Sequence, residues 1–307
     1  SYLIPNAKSA GANLKTAVTS KGITAKSVGQ KFQFENTSAT STDVTGDESI
    51  DTVFVATQHN THAKFCIESL KAGKNVFVEK PVAMNMDELL AVTEAYNNGN
   101  SKLMVGFNRR FAPVSIKAKN HFENIGEPLV MNFRVNGGFI PKEHWTQNEE
   151  LGGGRIIGEM CHFIDLMQYF TGSKPKRVYA DCIDHDNAGM KNDDNVIITV
   201  KFENGSVGNL TYVANGDKAL AKEYIEIFGG NKSFIIDNFR QGLSYAGNKE
   251  EKVKLDGKGH KQEVQEFLSA VKEGKDCPIS FESIYLTTLT TFKIVDSLNT
   301  GLPQEIK

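Results

Sequence analysis

Asn75-Val76-Phe77-Val78-Glu79-Lys80-Pro81 is the stretch that decides how this chain is read. A short apolar run forms a buried strand, and the strand ends in a charged pair followed by proline. Proline removes a backbone donor and keeps Lys80 out of helical geometry, so the lysine is held in a turn just past the strand. In open α/β folds, ligands bind at that carboxyl edge. An amine placed there is a candidate catalytic group; the alternative is a strand end whose charges are merely solvated.

Outward from this strand, apolar runs alternate with helical patterns. Residues 12–19 read as a strand, 25–34 as a polar helix, 51–57 as a buried strand and 61–72 as a helix closed by Gly73. Beyond residues 75–79 come a helix over 86–97 and a strand over 102–107. Strands alternating with helices imply a parallel, doubly wound sheet. The expected glycine-rich turn, whose amides hold a pyrophosphate at a helix N-terminus, does not precede the first strand. The opening Ser1-Tyr2-Leu3-Ile4-Pro5-Asn6-Ala7 reads as the remainder of a first helix. We therefore expect a strand and its loop, roughly 15–20 residues, to be absent, which leaves a gap in the middle of the sheet.

After Pro113 the pattern changes. Residues 129–135, 176–183, 195–202, 207–213, 224–228 and 233–237 are strand-like, mostly alternating apolar with polar, and two helices close the chain at about 261–273 and 283–299. The expected architecture is a Rossmann-like domain over residues 1–112 and an α+β domain over residues 113–307 with a large, mostly antiparallel sheet, the two meeting at a cleft.

Composition narrows the function. The 307 residues are 39% hydrophobic and 23% charged with a net charge of −2, which gives no electrostatic case for nucleic acid or an anionic membrane. No stretch reaches the roughly 20 apolar residues of a membrane span, and no signal peptide pattern is present. Cys66, Cys161, Cys182 and Cys277 are far apart with no CxxC pair, as expected for reduced thiols of a cytoplasmic protein. The nearest histidine pair, His59 and His62, has no neighbouring cysteine or carboxylate in sequence, so no metal site is expected.

The second chemistry-bearing stretch is Gly152-Gly153-Gly154-Arg155-Ile156-Ile157-Gly158-Glu159-Met160-Cys161-His162-Phe163-Ile164-Asp165. Its glycines permit a tight turn, and the apolar residues that follow recur at helical spacing. His162 and Asp165 share a helix face, so the carboxylate is placed to orient the imidazole; a satisfied core histidine is the plainer reading. Trp145, the single tryptophan, lies just before the glycines and is either a stacking platform for a sugar ring or simple packing. Asn108 and Arg109 follow the last parallel strand, as candidates for binding substrate hydroxyls or acidic groups, or for interdomain pairing.

Four features in order now carry a resemblance: Val55-Ala56-Thr57 followed by His62, the Glu79-Lys80-Pro81 turn, Gly106-Phe107-Asn108-Arg109-Arg110-Phe111, and the glycine-rich lead into His162 and Asp165. The chain resembles the glucose–fructose oxidoreductase / inositol dehydrogenase / rhizopine-catabolism (Gfo/Idh/MocA) family throughout its length. Leu3-Ile4-Pro5, the His59-Asn60-Thr61-His62 string and Arg155-Ile156-Ile157-Gly158-Glu159 further resemble a subgroup in which this module is fused behind a zinc-type alcohol dehydrogenase-like half. The resemblance implies hydride transfer between NAD or NADP and a hydroxyl-bearing carbon of a sugar or cyclitol. It makes Lys80 the group that hydrogen-bonds the reacting hydroxyl and His162 the general base, with Glu79 facing the cofactor ribose. It also puts Thr57, His59 and His62 at the cofactor-facing edge.

Many members carry an aspartate at the position of Gly158; here Glu159 or Asp165 is left to serve. No acid ends the second strand of the fold, where Ser20 and Lys21 suit a 2′-phosphate, which tilts the expectation slightly toward NADP. The family also implies a homodimer or homotetramer through the second sheet. The competing reading is a non-catalytic sensor on the same fold, or an inactive half of a larger fusion enzyme.

Overall fold

The computed structural model describes residues 2–20, 22–186, 189–255 and 257–307. The first region runs α1 (Leu3–Ser9), β1 (Thr16–Val18), α2 (Gly22–Phe32), β2 (Asn36–Ser38), α3 (Thr42–Thr45), β3 (Thr52–Val55), α4 (His62–Lys71), β4 (Asn75–Val78), α5 (Met86–Asn97) and β5 (Leu103–Val105). β4 is the middle strand of a parallel sheet ordered β3-β4-β5, and its Val76, Phe77 and Val78 are fully buried. A parallel strand covered on both faces has no polar side to alternate with, which is why this segment reads as one apolar run.

The remaining parallel strands, β1 and β2, pair only with each other. Among the described residues no strand bridges β1 and β3, so the doubly wound sheet is divided at its middle. β2 and α3 are short and polar and carry no apolar period by which to recognise them.

The second region contains α6 (Pro113–His121), β6 (Val130–Asn136), a π turn (Ile156–Met160), α7 (Cys161–Thr171), β7 (Pro175–Cys182), β8 (Val196–Phe202), β9 (Val207–Val213), β10 (Glu223–Gly229), β11 (Lys232–Asp237), β12 (Gln241–Ala246), β13 (Lys249–Lys254), α8 (His260–Glu273), α9 (Phe281–Thr300) and β14 (Gln304–Glu305). Nine strands join in the order β13-β12-β11-β10-β6-β9-β8-β7-β14. All neighbours are antiparallel except β6 and β9, which run parallel. Strand β13, Lys-Glu-Glu-Lys-Val-Lys, was not foreseen, because an edge strand protected by charge lacks the apolar alternation that marks an inner strand.

α7 and α9 pack together, α9 lies on β7, and α6 lies on β11 and β12. The chain then returns: α8 packs on α1 and on the turn Asn108–Phe111, which ties the two regions together. No helix among the described residues is long and apolar enough to cross a membrane.

Candidate functional site

The site forms where the carboxyl end of β4 meets the π turn before α7. Glu79 N–H donates to the Val55 carbonyl at 2.8 Å, which prolongs the parallel ladder by one residue and fixes the direction of the chain into the cis Lys80–Pro81 bond. From there Lys80 Nζ reaches the Gly158 carbonyl at 2.6 Å. Among the described residues, Lys80 has no carboxylate within ion-pair distance. A π turn adds one residue to the helical repeat, a distortion that recurs at functional sites.

His162 lies one turn further along, in the first turn of α7. It is 7% exposed, packs edge-on against Phe107 at 6.1 Å, and its Nδ1 is buried without a hydrogen-bond partner. Burial, then the charges of Arg109 and Lys80, hold its pKa well below the ordinary imidazole value. The ring is therefore neutral at neutral pH, the state a base requires.

Asp165 does not orient this imidazole. It is fully buried and forms a forked ion pair with Arg110, with Arg110 Nε at 2.9 Å from Oδ2 and the second guanidinium nitrogen on Oδ1. Helix spacing places Asp165 and His162 on neighbouring positions, but the guanidinium offers two donors to both carboxylate oxygens. Asn108, Arg109, Glu159 and Asp165, expected to contact substrate, each have partners within the chain. Arg109 donates from two nitrogens to Glu223 Oε1, whose other oxygen takes Lys258 at 2.5 Å. Asn108 donates to the Lys258 carbonyl at 2.7 Å.

Glu159 takes Lys222 at 2.6 Å on one oxygen, and Arg155 at 2.7 Å and the Tyr212 hydroxyl at 2.5 Å on the other. Burial alone raises this carboxyl, but Lys222, Tyr212 and Arg155 together hold it down at about 2. Sequence reasoning missed Glu223, Tyr212 and Lys222. A signal existed for the first two: each occupies an inward position of an otherwise apolar alternation in β10 or β9.

On the opposite wall, Ser20 and Thr57 are exposed past the ends of β1 and β3, and Lys21 lies outside the described residues. Among the described residues, Thr57 Oγ1 bonds Thr61 Oγ1, at 2.6 Å. His62, expected at the cofactor edge, is wholly buried: Nδ1 meets the Pro81 carbonyl at 2.8 Å and Nε2 the Thr57 carbonyl at 3.2 Å. Its ring lies between the two turns that flank the edge, with one N–H to give to one of the two carbonyls. His59 is also buried, with Nδ1 at 2.8 Å from the Gly152 carbonyl and its ring edge-on to half-buried Trp145 at 5.0 Å.

Glu79 is fixed by two residues the sequence did not point to. The Tyr2 hydroxyl lies 2.5 Å from Glu79 Oε1 and 3.1 Å from Glu263 Oε1. Burial, then the charge of Glu79, pushes Glu263 well above the usual carboxyl range. A phenol has one hydrogen, so Tyr2 donates to one of these two carboxyl groups at a time.

Comparison with known proteins fits this geometry. Residues 3–107 match the model of the GFO/IDH/MocA oxidoreductase family, NAD-binding Rossmann fold, and residues 117–235 match a C-terminal domain of the same family. The uncharacterized oxidoreductase YrbE of Bacillus subtilis is 30% identical over 222 residues, 70% of this chain and 63% of that protein. Myo-inositol 2-dehydrogenase of Thermotoga maritima is 28% identical over 202 residues, 64% of this chain and 59% of that protein. The chain thus spans about three fifths of the length of these two curated relatives.

The solved structure of levoglucosan dehydrogenase with NADH and levoglucosan superposes with a TM-score of 0.85 over 95% of this chain and 90% of that one, at 22% identity, which establishes the shared fold. The fusion behind a zinc-type alcohol dehydrogenase half has no counterpart in these matches. With both its regions matched by models of one family, the chain belongs to the GFO/IDH/MocA oxidoreductase family.

Proposed function

We propose that this protein transfers hydride between a nicotinamide dinucleotide and a hydroxyl-bearing carbon of a sugar or cyclitol, across a division between two domains near Pro113. The observation that carries the reading is the reach of Lys80 from the end of β4 to the turn before His162, with Nζ at 2.6 Å from the Gly158 carbonyl. The inositol and levoglucosan dehydrogenases among its relatives support the substrate class.

The residues present fit the ribose and nicotinamide end of such a cofactor. Glu79 is an acceptor at the strand edge, and Thr57 and Ser20 are exposed past the ends of β3 and β1. Among the described residues, no glycine-rich turn leads from a strand into α1, so no residue is assigned to the pyrophosphate. A bound nicotinamide supplies the hydride acceptor or donor.

The rest falls to this chain. Lys80 commits one of its three ammonium N–H groups to Gly158, which leaves two to donate to the reacting hydroxyl and to the alkoxide it becomes. His162, held neutral, takes the hydroxyl proton during oxidation and returns it in reduction. Arg109, Arg110 and Glu159 hold this wall in place through their own partners and leave the proton step to the imidazole.

Ser20 and Lys21 are the positions that select between NAD and NADP. A homo-oligomer forms through the outer face of the nine-stranded sheet, where Val130 is 58% exposed, Ile197 55%, Phe228 41% and Tyr179 40%. Fluorescence titration with NADH and NADPH, followed by rate measurements with myo-inositol and anhydrosugars, tests the reading. Binding of at least one nucleotide with turnover of at least one polyol is expected; absence of binding to both nucleotides overturns it.

A further inference from the structure

We propose that His59 is a positioning residue for Lys80: its imidazole occupies the space that a side chain at position 158 would fill, and so holds the π turn in the form that offers the Gly158 carbonyl to the lysine. A Cβ built on Gly158 would lie 3.0 Å from His59 Cε1, 3.3 Å from His59 Nδ1 and 3.2 Å from the Gly152 carbonyl oxygen. A side chain at 158 would have to push the ring aside by a few tenths of an ångström. The ring in turn has little freedom. A carbonyl only accepts, so the Nδ1 facing Gly152 must carry the hydrogen, and Trp145 closes one side of the ring at 5.0 Å.

Two neighbouring strand ends therefore grip one loop. The β3 side supplies His59 to the Gly152 carbonyl, along with the Asn60 N–H to the Leu151 carbonyl at 3.3 Å. The β4 side supplies Lys80 to the Gly158 carbonyl. Without the imidazole nothing fills the space beside Gly158, and the added residue of the π turn loses the packing that keeps it from relaxing into a regular helical turn. That relaxation withdraws the 158 carbonyl from Lys80 Nζ. His59 thus acts on the reacting groups through Gly158, without touching substrate.

A size-exchange cycle tests this on the whole chain, with the acetylation rate of Lys80 by acetic anhydride, read by peptide mass spectrometry, as the first measurement. Both His59→Ala and Gly158→Ala are expected to raise Lys80 labelling several-fold, the second because its methyl displaces the ring. The double variant is expected to fall back toward wild type, since the new methyl takes part of the vacated space, giving a non-additive cycle. His59→Asn keeps an N–H for the Gly152 carbonyl and should restore much of the protection lost in His59→Ala.

The kinetic arm rests on the proposed hydride transfer: His59→Ala should lower kcat with the nucleotide dissociation constant unchanged. Additive single effects, or a lower melting temperature with unchanged Lys80 labelling, overturn the proposal. Failure of both nucleotides to bind, with the labelling cycle intact, removes the functional reading and leaves the positioning role standing.

Discussion

The two walls of the cleft are built on opposite principles. On the wall from the parallel strands, the polar groups are partly open to solvent and are held by main-chain carbonyls or by one another, as with Lys80 on Gly158 and Thr57 on Thr61. On the wall from α7 and the nine-stranded sheet, three carboxylates with little or no exposure take at least two donors each: Glu159 from Arg155, Lys222 and Tyr212, Glu223 from Arg109 and Lys258, and Asp165 from two nitrogens of Arg110. Buried charge without a partner is too costly to persist, so the second wall is closed and rigid. The first wall leaves Thr57 exposed and Lys80 and Glu79 half-buried, as a ligand-facing edge requires.

Substitutions at the meeting line of the walls test the comparison most severely. His162→Ala and Lys80→Met are each expected to lower kcat by about 10²- to 10⁴-fold with little change in melting temperature, checked by steady-state kinetics and calorimetry. A large loss of stability instead would move His162 into the structural wall.

Next comes the closed wall itself. Arg109→Leu leaves Glu223 buried with only Lys258 and should cost about 3–5 kcal/mol in urea denaturation. If it changes only substrate affinity, the wall is not closed in the sense argued.

The acid limb is smaller. The Glu159 carboxyl is depressed from 4.5 to about 2, so its contribution is fully present above the unfolded value and is lost as pH falls through the folded one. Over the window from about pH 4.5 to 2 the wild type should lose about 3 kcal/mol that Glu159→Gln does not lose. Denaturation at stepped pH values reads the difference. The smallest effect is expected at the open edge. Thr57→Ala should alter stability by no more than about 0.5 kcal/mol while weakening nucleotide binding.

How much of this was legible depended on how local each cause is. The turn at Glu79-Lys80-Pro81 was readable because proline and a doubly covered strand impose their geometry within a few residues. Strand β9 was readable end to end for a similar reason, since its alternation is a property of one segment. β13 was not, because its charges protect an edge and hide the strand. His62 had a clear sequence signal but its surroundings were not readable, because its two carbonyl neighbours come from a neighbouring turn and from the loop just before its own helix. Asp165 failed likewise: helix spacing offered His162, and Arg110, 55 residues earlier, won with a forked pair.

The sequence by itself determined the alternation of strands and helices around β4, the family, and the candidacy of Lys80 and His162, because periodicity, proline and glycine act locally. Only the tertiary structure decided which charges are spent and which are free. It alone showed that Glu159 is neutralised from three directions, that Tyr2 and Glu263 fix Glu79, and that His59 stands where position 158 has no side chain. It also showed the parallel sheet divided between β1 and β3 among the described residues, where the pattern had led us to expect a gap. Ion pairing and close packing depend on distances between segments far apart in the chain, and no local pattern encodes those distances.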